Sequence, residues 1–449
     1  MADLPLPASR EPRSSGSLGP SFAPRLTANA VAEVSVSAIR HNLTVLQRIV
    51  GPQVGLCPAV KANAYGHDIR IVLRAMADMP AVCAIAVASL EEAVYARLQG
   101  FDRPIIILGV DVCADSAIAI ESKLQTCLDY DLQPTLSDPA AVRLLARLVR
   151  RRAHSPAAVH VKHDSGMHRL GLPADQTVEL CHAIRAEPAL RLASLYSHLC
   201  EADEPGPQAA AFCLEQGQRF ATVRARIEAD GRGPVFAHIA NSAGALRFDQ
   251  LRLDMVRPGI AVYGLPPGPL FQTAAQTMRT RIAPPVRPGP SAPAIADVRP
   301  EHPPEPTDPQ TVDFTSFRPA MRVVSRLVMV KRVPAGECVG YGRRWKAHTD
   351  RTIGIVPVGY NDGYRRCLGS QAVMRVRGHY APVAGTVSMD MTAIDLTEVP
   401  HAAPGDPVEV MSDDPTALHN AAALAEQCGT IAYEILCGFG ARVQRVARD

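Results

Sequence analysis

Between residues 54 and 258, short apolar runs alternate with longer stretches whose apolar positions recur every three or four residues. The runs read "VGLCPAVKA", "AVCAIAVAS", "PIIILGV", "LQTCL", "AAVHVKHD", "LRLASLYSHL", "PVFAHIA" and "RLDMVRPG". Between them, "HDIRIVLRAMAD", "LEEAVYARLQG", "DPAAVRLLARLVRR", "TVELCHAIRAE" and "FCLEQGQRFATVRARIEAD" place apolar side chains on one helical face. A strand that is apolar at consecutive positions is buried on both faces, as in a parallel sheet wrapped by helices. Eight such units in about 200 residues suit an α/β fold of the closed (β/α)8 TIM-like type, with an open doubly wound sheet as the alternative.

The alternation stops after residue 265. Residues 266–319 include "PPVRPGPSAP" and "RPEHPPEPTDPQ", which leave no room for a regular element. An exposed linker is expected there, and removing about residues 270 to 314 should leave the fold intact. From 320 onward, "RVVSRLVMVKRV", "TIGIVPVGY", "AVMRVRG", "APVAGTVSMDMTAIDL" and "DPVEVM" read as short strands separated by turns, with one helix near "ALHNAAALAEQCG". The expected division is a disordered tail over 1–28, the barrel over 29–265, the proline-rich insert over 266–319 and a mostly β C-terminal domain over 320–449.

Composition narrows the function. A chain of 449 residues with 47% hydrophobic content can bury two sizeable cores. A near-neutral net charge of +3 does not suggest a nucleic-acid partner, which would call for Lys and Arg clustered into a basic surface. No apolar run approaches the roughly 20 residues of a membrane-spanning helix, and the tail lacks the apolar segment of a secretory signal. Eleven scattered cysteines without a Cys-x-x-Cys pair read as reduced thiols of a cytoplasmic protein.

Lys61, His163–Asp164, His198, Asn241–Ser242 and Arg257 all fall at C-terminal ends of expected strands, the face on which barrel enzymes build their sites. Lys61 closes an apolar run in "PAVKANAYGH" and could snorkel, pair with an acid, or act as a nucleophile. The loops after the seventh and eighth strands carry Asn241–Ser242 and Gly259–Ile260, where barrels bind phosphate through backbone N–H groups. A lysine facing a phosphate site across a barrel mouth is what covalent attachment of pyridoxal 5'-phosphate requires. His160 and His163 alternate along one strand with no third ligand nearby, so no metal site is expected.

"AVKANAYGHD" resembles the cofactor-attachment motif of alanine racemases. The resemblance recurs in order through "VKHDSGMHRLG", "SLYSHL", "HIANSAGAL", "DMVRPGIAVYGL", "GYGRRW", "PVGYNDGYRR", "GTVSMDMTAID" and "AYEILCGFGARVQRV", covering about residues 30 to 448 apart from the insert. Asp68, His168 and Gly340 depart from the commoner residues of these motifs. The resemblance implies a barrel followed by a β domain, and interconversion of L- and D-alanine that supplies D-alanine for peptidoglycan.

It also implies individual roles. Lys61 would hold the cofactor and act as base on the D-enantiomer, and Tyr341 on the L-enantiomer. Arg257 would face the pyridine nitrogen, buttressed by His198. Tyr65, Ser242, Tyr433 and the N–H groups of Gly259 and Ile260 would hold the phosphate. Arg169 and the Met389 N–H would take the substrate carboxylate, Lys162 matches a position carbamylated in some members, and Tyr360, Asp203 and Arg366 match an access corridor. The implied assembly is a head-to-tail homodimer in which Tyr341 of one subunit reaches over Lys61 of the other. Rival readings are a related racemase for serine or a broader set of amino acids, a cofactor-homeostasis protein, which would need neither Tyr341 nor the β domain, and a decarboxylase of the same fold, which would carry a catalytic cysteine in its second domain.

Overall fold

The computed structural model describes residues 28–109, 116–152, 156–271 and 314–449. The tail expected over 1–28 therefore lies, but for its last residue, outside the described residues, as does the insert from 272 to 313.

The first strand, β1 (Val31–Ser35), is followed by eight short parallel strands. These are β2 (Gly55–Leu56), β3 (Ile85–Val87), β4 (Ile105–Ile107), β5 (Gln133–Leu136), β6 (Ala157–Lys162), β7 (Leu190–Tyr196), β8 (Ala237–His238) and β9 (Met255–Val256). β3 to β8 form one parallel ladder, and β2 pairs with β9. Backbone hydrogen bonds join the two sets into a closed barrel. Val60 N donates to Ala86 O and Ala86 N to Pro58 O on one side, and Arg257 N to Ala240 O on the other, each at 2.9 Å. The floor of the barrel interior is apolar, built from Cys57, Ala84, Ala86, Ile106 and Met255.

One expected strand is wrong. "LQTCL" lies within the helix Ala117–Asp129, and the fourth barrel strand is Gln133–Leu136. Leu124 and Cys127 are buried and Leu128 packs beside them, a spacing of three and four that fits one helical face. The true strand carries Pro134, which cannot donate to a ladder and so disguises it.

The C-terminal domain contains β10 (Met321–Arg326), β11 (Met329–Val333), β12 (Cys338–Val339), β13 (Trp345–Lys346) and β14 (Arg351–Val356). It continues with β15 (Val373–Val376), β16 (His379–Pro382), β17 (Thr392–Asp395), β18 (Pro407–Met411) and β19 (Gln444–Arg448). Its main sheet runs β16-β15-β18-β10-β1-β19. Strand β1 thus belongs to this sheet, antiparallel to β10 and parallel to β19, although it precedes the barrel in the chain. Two helices, Ala421–Cys428 and Ala432–Gly438, stand where one was expected.

The roots of the proline-rich insert are packed. Phe271, Phe314 and Phe317 are buried, and the last two stack with ring centroids 4.2 Å apart. A deletion from 270 to 314 would remove two of these three rings, so the expectation that it leaves the fold intact needs narrower bounds.

Candidate active site

A cavity of about 520 Å³ opens at the C-terminal ends of the barrel strands and is walled on one side by the helix Ala432–Gly438. Lys61 lines it, immediately after Val60, whose N–H donates to Ala86 O. The chain does not continue into an ordinary helix there. Ala62, Asn63, Ala64 and Tyr65 all have φ between 51° and 55°, a left-handed turn that costs L-residues roughly 1–2 kcal/mol each. Such strain persists only where surrounding contacts over-determine it. Ala62 N donates to Glu92 Oε1 at 2.6 Å, and Arg445 Nε, from β19, donates to Gly66 O at 2.9 Å. Asp68, the residue that departs from the motif, caps the helix Ile69–Met76 by accepting the Arg70 N–H at 2.9 Å.

Across the cavity, Arg257 is buried with no carboxylate partner among the described residues. Its guanidinium donates to His238 Nδ1, to Ser197 O at 2.6 Å, to Ile239 O at 3.3 Å and to His198 Nδ1 at 3.2 Å. Because arginine can only donate, both imidazoles must present unprotonated nitrogens to it. This fixes a chain of donors through the barrel. His238 Nε2–H donates to Ser194 Oγ at 2.8 Å, Ser194 to His160 Nδ1 at 2.6 Å, and His160 Nε2–H to Gln133 Oε1 at 3.0 Å. Burial first, and the arginine's charge second, hold His198 and His238 well below the usual imidazole range. Both ring nitrogens of His160 are engaged in this chain.

The cavity is strongly cationic. Lys61, Lys162, Arg169 and Arg257 line it, against one acid among the described residues, Asp203. Burial, then Arg257 and Arg169, brings the Lys162 amine down to about 8. Burial, then Arg169, lowers Lys61 as well, with Glu92 acting in the opposite direction. Crowded cations that depress one another call for an anionic ligand.

A phosphate-sized cradle lies opposite Lys61. Ser242 begins the short helix Ser242–Arg247, and its Oγ accepts the Gly259 N–H at 2.8 Å. The Ile260 N–H, on a fully buried residue, has no acceptor among the described residues. Buried amides are normally paired, so this one awaits a partner. Gly259 must be glycine, because a Cβ there would lie 2.4 Å from Tyr65 Oη. Tyr65 and Tyr433 face each other at 5.9 Å between ring centroids and complete the wall. These donors, together with the lysine across the cavity, fit a phosphorylated aldehyde cofactor such as pyridoxal phosphate.

Two expected site residues lie elsewhere. Tyr341 is 71% exposed on a turn of the C-terminal domain, and neither it nor Met389 lines the cavity. They share one surface, however. Thr386 Oγ1 donates to Tyr341 O at 3.1 Å, Tyr360 N to Ser388 O at 3.0 Å and Asn361 N to Met389 O at 3.0 Å. Gly359 permits this close approach, since a Cβ would lie 2.3 Å from Met389 O. Tyr341, Tyr360, Met389 and Met391 are all exposed, and the Met389 N–H has no acceptor among the described residues. Arg169 and Asp203 line the cavity with Lys61, whereas Arg366 opens a 3-10 turn of the C-terminal domain. Sequence reasoning missed Glu92 and Arg445, which lie far along the chain from the turn they hold. "SLEE" does signal a helix cap, but nothing local says that its second glutamate reaches toward Lys61.

The family descriptions "Alanine racemase, N-terminal domain" and "Alanine racemase, C-terminal domain" match residues 34–267 and 320–447. An alanine racemase of Citrifermentans bemidjiense is 34% identical over 93% of this chain and 98% of its own. One from Geobacter sulfurreducens is 34% identical over 93% and 96%. Among solved structures, the alanine racemase of Streptomyces coelicolor A3(2) superposes with a TM-score of 0.76 at 29% identity, covering 94% of this chain and 98% of that one. With both domains matched along nearly their whole length, and Lys61 at the barrel mouth, the chain belongs to the alanine racemase family.

Proposed function

We propose that this protein interconverts L- and D-alanine with pyridoxal phosphate, using two bases that come from different subunits of a homodimer. The observation that carries this reading is the cavity itself, in which Lys61 faces the unpaired Ile260 N–H across a cationic space. When bound, the cofactor supplies an electron sink for the α-carbon that loses its proton. The remaining work falls to the protein.

Lys61 anchors the cofactor and, once released, takes or returns the α-proton on one face, that of the D-enantiomer. Its lowered pKa keeps more of the amine neutral near physiological pH, the form a base requires. Ser242, Tyr65, Tyr433 and the Ile260 N–H would hold the phosphate, joined by the Gly259 N–H when it gives up its bond to Ser242 Oγ. Arg257 engages the pyridine nitrogen. Since it keeps its own proton and its neighbours are neutral imidazoles, Arg257 would offer that nitrogen a hydrogen bond but no proton. This favours return of the proton to the α-carbon over its loss to the wrong carbon.

The second base is Tyr341 of a second copy, serving the L-enantiomer. Its phenol oxygen would enter a cavity lined by Lys61, Lys162 and Arg169. The free Met389 N–H, on the same exposed surface, would dock the substrate carboxylate together with Arg169. Carbamylation of Lys162 would convert one of the four crowded cations into an anion that orients Arg169. No described helix is long and apolar enough to cross a membrane; we place the enzyme in the cytoplasm, where D-alanine is made for peptidoglycan. Incubating single enantiomers of alanine, serine, lysine and arginine with the holoenzyme tests the reading. Alanine should turn over fastest in both directions, and the visible absorbance should vanish on borohydride reduction. Exclusive turnover of serine or of the basic amino acids would replace the proposed substrate.

A further inference from the structure

The strained turn after Lys61 is not held by its own hydrogen bonds alone. Ser89 caps the helix Leu90–Leu98 by accepting the Glu92 N–H at 3.3 Å, and "SLEE" has the form of a capping box. In such a box the glutamate folds back onto the amide of the capping residue. Glu92 instead reaches past Ser89. Its Oε2 accepts the Ala88 N–H at 2.7 Å, and its Oε1 accepts the Ala62 N–H at 2.6 Å. One carboxylate thus ties the end of β3 to the residue that follows Lys61, the first of the four in left-handed geometry. Both Ala62 and Ala88 line the cavity.

We propose that Glu92 is the positioning residue for Lys61, holding the left-handed turn that aims the lysine into the cavity and setting the charge that it meets there. This rests on the proposed role of Lys61 as base. The charged and titratable groups facing Lys61 are Arg169, Lys162, His198, Cys437 and Glu92. Among the described residues, Glu92 is the carboxylate that acts on Lys61, and it offsets the cations that push the amine down. A glutamine in its place has one acceptor oxygen for two N–H donors and no charge. One amide would then face an NH2 group, and the turn would lose a fastening at the first of its left-handed residues.

Glu92→Gln and Glu92→Ala holoenzymes should lose about tenfold or more in kcat with a smaller change in KM, as expected when a reacting group is misplaced. Removing the negative charge should also move the acid limb of the pH–rate profile to lower pH by about half a unit or more. Competitive amine labelling of the apoprotein, read by mass spectrometry at Lys61, should show the same downward shift without any turnover. Folded Gln and Ala variants with wild-type kcat and an unmoved labelling midpoint would overturn the proposal. Should the variants fail to fold, the wild-type apoprotein decides the matter. The Ala62 and Ala88 amides, both bonded to the Glu92 carboxylate, should be protected from hydrogen exchange at neutral pH. Absence of protection would refute the tie. The underlying assignment of Lys61 fails separately, if Lys61→Ala keeps racemising.

Discussion

Lys61 is an example of a side chain whose partners matter more than its own chemistry. Arg169 lowers its pKa, so Arg169→Gln should raise it and move the acid limb of the pH–rate profile upward, since Lys61 works deprotonated. An acid limb that stays in place would show that Arg169 does not act on Lys61. Arg257 makes a different prediction. Replacing it with glutamate provides a carboxyl that can share a proton with the pyridine nitrogen. Pyruvate and pyridoxamine phosphate should then accumulate faster relative to racemisation, and an unchanged ratio would remove Arg257 from its assigned place. The sequence motifs marked both residues because each ends a barrel strand. They could not mark the roles of Glu92, His238, Ser194 or Gln133, which come from hydrogen bonds between separate elements.

Among the elements, hydrophobic periodicity served best where strands and helices were long and uninterrupted. It located most of the flanking helices of the barrel, including the long Pro207–Glu228, but took part of Ala117–Asp129 for a strand and missed Gln133–Leu136, where Pro134 interrupts a strand of four residues. Nor could periodicity reveal that β1 pairs with β10 and β19, because pairing partners hundreds of residues apart leave no local trace. The roots of the insert are a similar case, since proline-rich composition conceals Phe271, Phe314 and Phe317. Deleting about residues 275 to 310 should leave the melting temperature and racemisation close to wild type. Phe314→Ala should cost about 3 kcal/mol by leaving a hole in a packed core. If urea unfolding instead gives equal stability for Phe314→Ala and wild type, the insert's root is not part of the core.

The molecule as a whole buries histidines that it keeps neutral. Burial brings His67 to about 4 and His160 to about 3, and, together with Arg257, holds His238 well below 6.5. Unfolding frees all three to protonate below about pH 6.5. Their contribution to stability is therefore complete above that pH and declines as the pH falls toward their folded values. Each proton taken up on unfolding steepens the decline by about 1.4 kcal/mol per pH unit. Urea unfolding of the apoprotein at fixed concentration should show stability dropping from about pH 6.5 downward. A flat profile would mean that these rings are not buried as neutral groups.

Assembly carries the central claim, because the cavity of one chain holds Lys61 while Tyr341 stands exposed on its other domain. If each site is completed by a second copy, the two bases can be separated genetically. Lys61→Ala and Tyr341→Ala homodimers should each be nearly inactive. In a mixed dimer, one site collects both substitutions, and the other joins a native Lys61 to the native Tyr341 of the partner. Random mixing places half of the subunits in such hybrids, so roughly a quarter of wild-type activity should return. The decisive measurement is racemisation by co-expressed subunits, with hybrid dimers counted by native mass spectrometry. Recovery near a quarter is the predicted result; confirmed hybrids with no recovery would place both bases in one chain and contradict the shared site.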